Sequence, residues 1–377
     1  MKEKELYELW KQNAVLDPDL IEELNAVSDE DEIIDRFYTE LEFGTAGLRG
    51  VIGAGTNRMN VYTVGRATQG LAQYLLQKKA APSVAIAYDS RIKSETFAEF
   101  AARVLAANGV KVYLFEELVP TPVLSFAVRR LGTDSGIIIT ASHNPAKYNG
   151  YKCYNPNGYQ MTDAEALETY GYIQQVDYFT GIKTCDFDAA VADGRIVMVG
   201  QELVNAFLDA VETQRVHPDV CGKSGLHVIY TPLNGTGNKP VRAILSRIGV
   251  QHCDVVKTQE LPDGNFPTCP YPNPEIRQAF EQALLMAKDS PADLLLATDP
   301  DCDRVGIAVR DENGEYRLMS GNQVGVLLLN YLLSQKKANG TLPAQPVAVK
   351  SFVSTDLAEK IAEKYNCGFK NLLTGFK

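Results

Sequence analysis

Short apolar runs that stop abruptly at polar, turn-forming residues recur along this chain. Ser83 to Tyr88 is the clearest: every position except the first is apolar or aromatic, and Asp89-Ser90-Arg91 follows at once. Such runs read as buried strands. Val110 to Phe115, Ile137 to Ile139, Leu226 to Tyr230, His252 to Val256, Leu294 to Ala297 and Pro346 to Val353 read the same way. Between them the apolar spacing is helical, over Val61–Lys79, Ser94–Asn108, Thr121–Leu131, Asp163–Val176, Leu203–Val211, Val241–Ile248, Glu275–Lys288, Gln323–Gln335 and Leu357–Tyr365. Ser94 is placed to cap its helix and Gly109 to end it; Pro122 sits in a first turn; Ser354-Thr355-Asp356 precedes the last helix.

Other segments break the alternation. Lys2 to Leu41 is acidic and helical in pattern, interrupted at Asp17-Pro18, and reads as an extension packed on the body. Tyr151 to Met161 predicts a hairpin about Asn155-Pro156-Asn157-Gly158, and Val305 to Met319 another about Asp311-Glu312-Asn313-Gly314. Thr180 to Val199 is less regular, and Leu261 to Pro274 is a long, proline-rich connection. Strands alternating with helices make an α/β protein. The pattern divides into units at 1–200, 201–319 and 320–377. A strand, a polar turn and a helix recur at Ala85–Asp89, Ile229–Gly235 and Val349–Thr355, which fits three related units. The third has only one clear strand and two helices.

Composition narrows the function classes. Hydrophobic residues make up 45% and charged residues 22%, ordinary for a soluble globular chain. No apolar run reaches the roughly 20 residues of a membrane span. Met1-Lys2-Glu3-Lys4-Glu5 leads into no apolar signal region. The seven cysteines include no Cys-x-x-Cys pair, which speaks against zinc and against a disulfide framework. A reducing, cytoplasmic setting is expected. The net charge of −10 argues against a nucleic-acid surface. It leaves room for an anionic small molecule held by a local cluster of cations. Nothing in the pattern specifies an oligomeric state.

Two loops carry candidate chemistry. Thr140-Ala141-Ser142-His143-Asn144-Pro145 follows the run Gly136 to Ile139, so Ser142 lies just beyond the carboxyl end of a strand, where α/β sheets place ligands. Taken alone, the hexapeptide is equally an ordinary turn. Ser-His adjacency does not make a hydrolase triad, and no Gly-x-Ser-x-Gly elbow is present. The second loop, Asp299-Pro300-Asp301-Cys302-Asp303-Arg304, follows Leu294 to Ala297. Three alternating carboxylates repel one another unless a cation sits among them. Hard oxygen ligands favour Mg²⁺ or Ca²⁺, and the spacing lacks the glycine and distal glutamate of an EF-hand. Glycine-rich Gly44 to Gly55, with Arg49, is suited to an anion nest but has no Walker A ending.

Together these stretches resemble the α-D-phosphohexomutase superfamily. Thr140 to Pro145 looks like its phosphoserine loop, Asp299 to Arg304 its metal loop, and Gly44-Thr45-Ala46-Gly47-Leu48-Arg49-Gly50 its N-terminal active-site motif. Asn149-Gly150-Tyr151-Lys152 matches the segment with its active-site lysine. The acidic N-terminus and Leu318-Met319-Ser320-Gly321-Asn322 most resemble the phosphoglucomutase-2-like branch. The resemblance implies four domains around one cleft, three of them three-layer α/β units with mixed sheets. This chain would hold domains 1 and 2 and part of domain 3.

The resemblance also implies roles. Ser142 would carry a phosphoryl group, give it to a bound sugar phosphate, and recover another from the bisphosphate formed. Asp299, Asp301 and Asp303 would bind Mg²⁺ together with a phosphoserine oxygen. Glucose 1,6-bisphosphate would be the activator. Arg304 would hold the phosphoserine loop or its oxygens, and Arg49 would reach in from the opposite side of the cleft. Lys152 would aid proton transfer if crowded positive charge lowered its pKa, with His143 as support. Thr374, Gly375 and Lys377 look like a substrate-side loop, whereas Ser320 and Asn322 read as a helix cap. The family's sugar-recognition loop and its C-terminal phosphate-binding domain have no counterpart here. A phosphoglucomutase fragment is therefore expected, with glucose phosphate ahead of pentose and mannose phosphates. The alternatives are a remnant that only binds metal and sugar phosphate, or a Mg²⁺-dependent phosphatase.

Overall fold

The computed structural model describes residues 2–44 and 47–374. Its strands are β1 (Leu48–Val51), β2 (Ser83–Tyr88), β3 (Lys111–Phe115), β4 (Ser135–Ile139), β5 (Tyr148–Tyr154) and β6 (Ile196–Val199), then β7 (His227–Thr231), β8 (His252–Val255), β9 (Leu294–Thr298), β10 (Val305–Arg310) and β11 (Tyr316–Met319), and finally β12 (Val347–Ser351) and β13 (Gly368–Leu372).

The first sheet runs β1-β5-β4-β2-β3-β6 and the second β11-β10-β9-β7-β8. Both are mixed, and they share a plan. Three parallel strands lie in the order third, first, second: β4-β2-β3 in one sheet and β9-β7-β8 in the other. Beyond the third strand comes an antiparallel neighbour, β5 beside β4 and β10 beside β9. The loops leaving β4 and β9 carry Ser142 and Asp299, so both arise from equivalent strand ends. The two strands of the third unit, β12 and β13, pair in parallel.

Helices cover both faces of the first sheet. Val61–Lys78, Ser94–Ala107 and Asp163–Ile173 pack on one side, burying Leu71, Phe97, Ile137 and Tyr151. Thr121–Leu131 and Gln201–Glu212 close the other over Ala85, Ile138 and Phe115. Ala243 and Ile244, from the second unit's helix Asn238–Arg247, pack against that second cluster. The two units therefore share apolar contact as well as the polar contacts of the site.

The acidic N-terminus folds as three helices, Lys2–Asn13, Pro18–Ala26 and Glu30–Phe37. The Asp17-Pro18 break is a cap: Asp17 accepts from the Asp19 N–H, and Pro18 supplies the fixed φ of a first turn. Trp10 anchors this layer, with ring contacts to Phe37, Tyr62 and Phe179 at 5.9, 5.4 and 5.5 Å.

Several expectations change. Ser94 does not cap its helix; Lys93 is the capping residue at φ 63, and the Ser94 hydroxyl donates to Asp89 instead. The hairpin after Tyr151 shrinks to one bridge, Tyr154 to Gln160, because β5 pairs with β4 and β1. Glu275–Lys288 is a 3₁₀ turn, Arg277–Phe280, followed by the helix Glu281–Asp289. The edge strands β1, β6 and β13 lie where the pattern showed a loop, an irregular stretch and a chain end. Ser320 does cap its helix, in a reciprocal box with Gln323.

Removing the anchor of the N-terminal layer tests its docking. Trp10→Ala should cost about 3–5 kcal/mol. Denaturant unfolding followed by circular dichroism reads this. A loss under about 1 kcal/mol, within the range of a surface change, would mean the layer is not docked through that ring.

Candidate active site

Asp89, at the end of β2, and Thr140, at the end of β4, build the frame of the seryl loop. Both are buried. Thr140 Oγ1 donates to Asp89 Oδ2 at 2.6 Å and accepts from the Ser142 N–H at 2.9 Å. That bond pins Ser142 at φ 55, left-handed backbone that a residue with a Cβ adopts only when its surroundings enforce it.

Arg91 completes the frame. Its guanidinium donates to four loop carbonyls: Ser142 at 2.6 Å, Asn144 at 2.5 Å, and Pro145 and Tyr148 at 3.0 Å. The side chain is wholly buried, 3.4 Å from Asp89. Burial pulls Arg91 down and pushes Asp89 up, while each opposes the shift on the other. An arginine stays charged even so. The loop that should carry a phosphate is thus threaded around a fixed cation.

The Asp loop arrives from the second unit. Gly235 lets it lie close, since a Cβ there would stand 2.4 Å from Pro300 Cα. The Thr236 N–H donates to Pro300 O at 2.8 Å. From the first unit, the Thr121 N–H donates to Asp301 O at 2.8 Å and its hydroxyl to Asp301 Oδ2 at 3.0 Å. Thr121 is the first residue of the helix Thr121–Leu131, whose N-terminal field favours a carboxylate. The same oxygen accepts from Lys152 Nζ at 2.9 Å, and Lys152 lies 4.0 Å from Asp303.

Ser142 and Asp299 meet across the seam. Ser142 Oγ is 2.9 Å from Asp299 Oδ2 and 3.2 Å from His143 Nδ1. Asp299 Oδ1 accepts the N–H groups of Asp303 and Arg304. One oxygen from each of Asp299, Asp301 and Asp303 lies within 4.8 Å of the others. Asp301 Oδ1 is buried without a hydrogen-bond partner. Burial and the neighbouring carboxylates push Asp299 well up. Burial works in the same sense on Asp301, but the Lys152 ammonium together with hydrogen bonds from Asp299 and Thr121 holds Asp301 below the usual carboxylate range. Three converging hard oxygen donors, one of them unsatisfied, suit a small divalent cation.

The remaining candidates fall as follows. Lys152 is crowded by carboxylates rather than by cations. Burial lowers its pKa, yet Asp301 and Asp303 leave it raised, so the lowering required of a proton-transfer lysine is absent. His143 is half-buried and lowered by burial and by Arg304 and Arg49. Among the described residues, Arg304 pairs with Glu275 rather than with the carbonyls of the seryl loop. Its guanidinium lies 3.8 Å from Glu275, and the loop carbonyls belong to Arg91. Arg49 sits on β1 opposite Gly150 of β5, on the same sheet as Ser142 rather than across the cleft. It lies near enough to Asp301 and Asp303 for them to act on its charge. Thr374 is exposed beyond β13; Gly375 and Lys377 lie outside the described residues. Sequence reading passed over Arg91 and Thr121. The one signal for Arg91 was its place in a fully polar exit from a fully apolar strand.

The chain matches known proteins over most of its length. Residues 40–178 match the phosphoglucomutase/phosphomannomutase alpha/beta/alpha domain I, and residues 205–314 match domain II. It is 38% identical to the phosphoglucomutase of Staphylococcus haemolyticus, covering 90% of this chain and 61% of that protein. It is also 38% identical to the phosphoglucomutase of Staphylococcus aureus (strain USA300), covering 98% and 65%. The chain therefore spans less than two thirds of these curated relatives. Among solved structures, a phosphomannomutase candidate from Thermus thermophilus superposes with a TM-score of 0.73 at 26% identity, over 90% of this chain and 70% of that one. A Burkholderia thailandensis phosphoglucomutase/phosphomannomutase family protein shares the fold, with a TM-score of 0.66 at 20% identity over 88% and 65%. With two domain models in tandem and close relatives along nearly the whole chain, the protein belongs to the phosphoglucomutase/phosphomannomutase family.

Proposed function

We propose that this chain carries the phosphoryl-transfer half of a phosphosugar mutase that interconverts glucose 1-phosphate and glucose 6-phosphate. One observation carries the reading: Ser142 Oγ hydrogen-bonds a carboxylate of a three-aspartate cluster delivered by a different sheet. A serine hydroxyl set among converging carboxylates is ill placed to attack an acyl group, because those charges oppose the oxyanion that would develop. As a phosphoryl carrier beside a divalent cation it has a direct use.

In the forward half-reaction the phosphoserine Oγ–P bond breaks and a bond forms from phosphorus to the free sugar hydroxyl oxygen. The hydroxyl proton must leave and the released Ser142 Oγ must gain one, so the half-reaction moves one proton from the sugar oxygen to the serine oxygen. His143, whose pKa is lowered by burial and by Arg304 and Arg49, is neutral near pH 7 and offers Nδ1 beside Ser142 Oγ. Lys152, raised and protonated, contributes charge and holds Asp301. The bisphosphate then reorients and returns its other phosphoryl group to Ser142 Oγ. Asp299, Asp301 and Asp303, with a phosphoserine oxygen, would hold Mg²⁺, which when bound neutralises charge on the transferred group. Arg49 and Arg304 would attract the sugar phosphate, and glucose 1,6-bisphosphate would prime the serine. Thr374, with Gly375 and Lys377, belongs to the substrate side by resemblance. Pentose and mannose phosphates are the next substrates to try.

A coupled assay of this chain, following glucose 1-phosphate to glucose 6-phosphate with Mg²⁺ and catalytic glucose 1,6-bisphosphate, tests the whole reading. Turnover should fall by at least about a thousandfold in Ser142→Ala, the scale on which loss of a covalent nucleophile is read. A folded chain that accepts one phosphoryl group on Ser142 but does not turn over would keep the transfer step and remove the mutase. A folded chain with neither would remove both.

The acidic cluster gives an independent check on the metal. Asp299 has a folded pKa raised above its unfolded value. Its contribution to stability is full below the unfolded pKa and is lost as pH rises through the folded one. Near pH 7 the metal-free cluster is therefore a burden. Asp299→Asn should raise the metal-free melting temperature by a few degrees and abolish the further rise that Mg²⁺ gives the parent chain. A parent chain whose melting temperature ignores Mg²⁺ would sink the metal assignment.

A further inference from the structure

The proline-rich connection Leu261 to Pro274 leaves the second unit, touches the first and returns. At its start, Asn234 Nδ2 donates to Leu261 O at 2.8 Å and the Asp263 N–H donates to Asn234 O at 3.1 Å. Thr268 is tied back by Gln259 at 3.0 Å. At its end, Pro274 O lies against Gly306 of β10, so close that a Cβ on that glycine would stand 2.0 Å away. The span between these anchors crosses the seam. Gly264 rests on the backbone of Ser90 to Ile92, where an added Cβ would stand 2.5 Å from Ile92 N and 2.9 Å from Ser90 O. Phe266 lays its ring under the Arg91 guanidinium, 5.1 Å from ring centre to Cζ.

This is the same Arg91 that donates to the carbonyls of Ser142, Asn144, Pro145 and Tyr148. The edge of its guanidinium is taken up by the loop, and one face is covered by a ring from the other unit. Phe266 is 1% exposed and sits at φ 47, left-handed backbone for a side chain with a Cβ. A strained, buried aromatic holding a buried cation is over-determined packing. The ring keeps water from the fork and adds cation–π attraction, and both effects strengthen the hydrogen bonds to the loop.

We propose that Phe266 is a positioning residue for phosphoryl transfer at Ser142, acting through Arg91. Docking of the second unit then does two things at once: it brings Asp299 to the serine, and it locks the loop that carries the serine. The transfer role of Ser142 rests on the function proposed above; the ordering of the loop by Phe266 does not.

The test compares the parent chain with Phe266→Ala and Phe266→Tyr, which keeps the ring. The first readout is amide hydrogen exchange. In Phe266→Ala, exchange over residues 142–148 should rise about tenfold, with β7 and β9 unchanged and Phe266→Tyr near the parent, a size in keeping with loss of a desolvated cation–π contact. The second is the single-turnover rate at which glucose 1,6-bisphosphate phosphorylates Ser142, read by intact mass. It should fall about tenfold in Phe266→Ala at saturating donor, with the half-saturating donor concentration unchanged and Phe266→Tyr restored. Parent-like loop exchange in Phe266→Ala would overturn the proposal. So would equal loss of protection in β7 and β9, which would make Phe266 a core plug and nothing more. A parent chain that takes no phosphate defeats the transfer reading, while the exchange comparison still decides whether Phe266 orders the loop.

Discussion

Two carboxylates, Asp299 and Asp301, are buried at the seam between two sheets, and among the described residues one ammonium, Lys152, faces them closely. Two buried negative charges and one positive are an unbalanced set, and unbalanced buried charge is destabilising. The rest of the site compensates for that imbalance. The Thr121 helix start supports Asp301, and backbone N–H groups of Asp303 and Arg304 support Asp299. Each device tolerates the charge without removing it. A bound dication would remove it.

The same imbalance separates the electrostatic settings of the two ionisable groups nearest Ser142 in sequence, and with them the roles proposed for each. A lysine beside two carboxylates has its ammonium form stabilised, which suits it to charge balance and unsuits it to proton transfer. A half-buried histidine near Arg304 and Arg49 has its cationic form disfavoured, by burial first and then by those charges, which is the property the proposed proton acceptor needs. The assignment of roles follows from which charges are neighbours. Order in sequence does not reveal this, since His143 and Lys152 lie within ten positions of each other and have opposite surroundings.

Much of this was legible in the chain itself. The strands β2, β4, β7 and β9 are apolar runs buried on both faces, and such runs announce themselves without partners. The loops after β4 and β9 were legible because their polar residues are dense and contiguous. The edge strand β1 was not. Its residues Leu48-Arg49-Gly50-Val51 take strand form only because β5 offers a partner, so tertiary pairing decides where local propensity is silent. Arg91 and Thr121 were missed for a related reason. Each is one polar residue at an element end, ordinary in isolation, and its role lies in distant carbonyls and carboxylates. Phe266 lies further out of reach: nothing local in a proline-rich loop says that one ring crosses to a guanidinium in another unit.

The shared plan of the two sheets ties these points together. In each, the third strand lies between a parallel and an antiparallel neighbour, so its carboxyl end stands where the direction of pairing changes. A loop at such a point has room, because it need only join two neighbouring antiparallel strands and it stands beyond the carboxyl ends of the parallel ones, where α/β sheets place ligands. One unit spends that room on a serine loop wound about Arg91, the other on alternating aspartates. Neither loop completes the proposed site alone: the serine loop has no metal-binding carboxylates, and the Asp loop has no hydroxyl to carry a phosphoryl group. Two copies of one architectural opportunity, filled with complementary chemistry and closed by Phe266 on Arg91, account for why the chain brings its two units together along this seam.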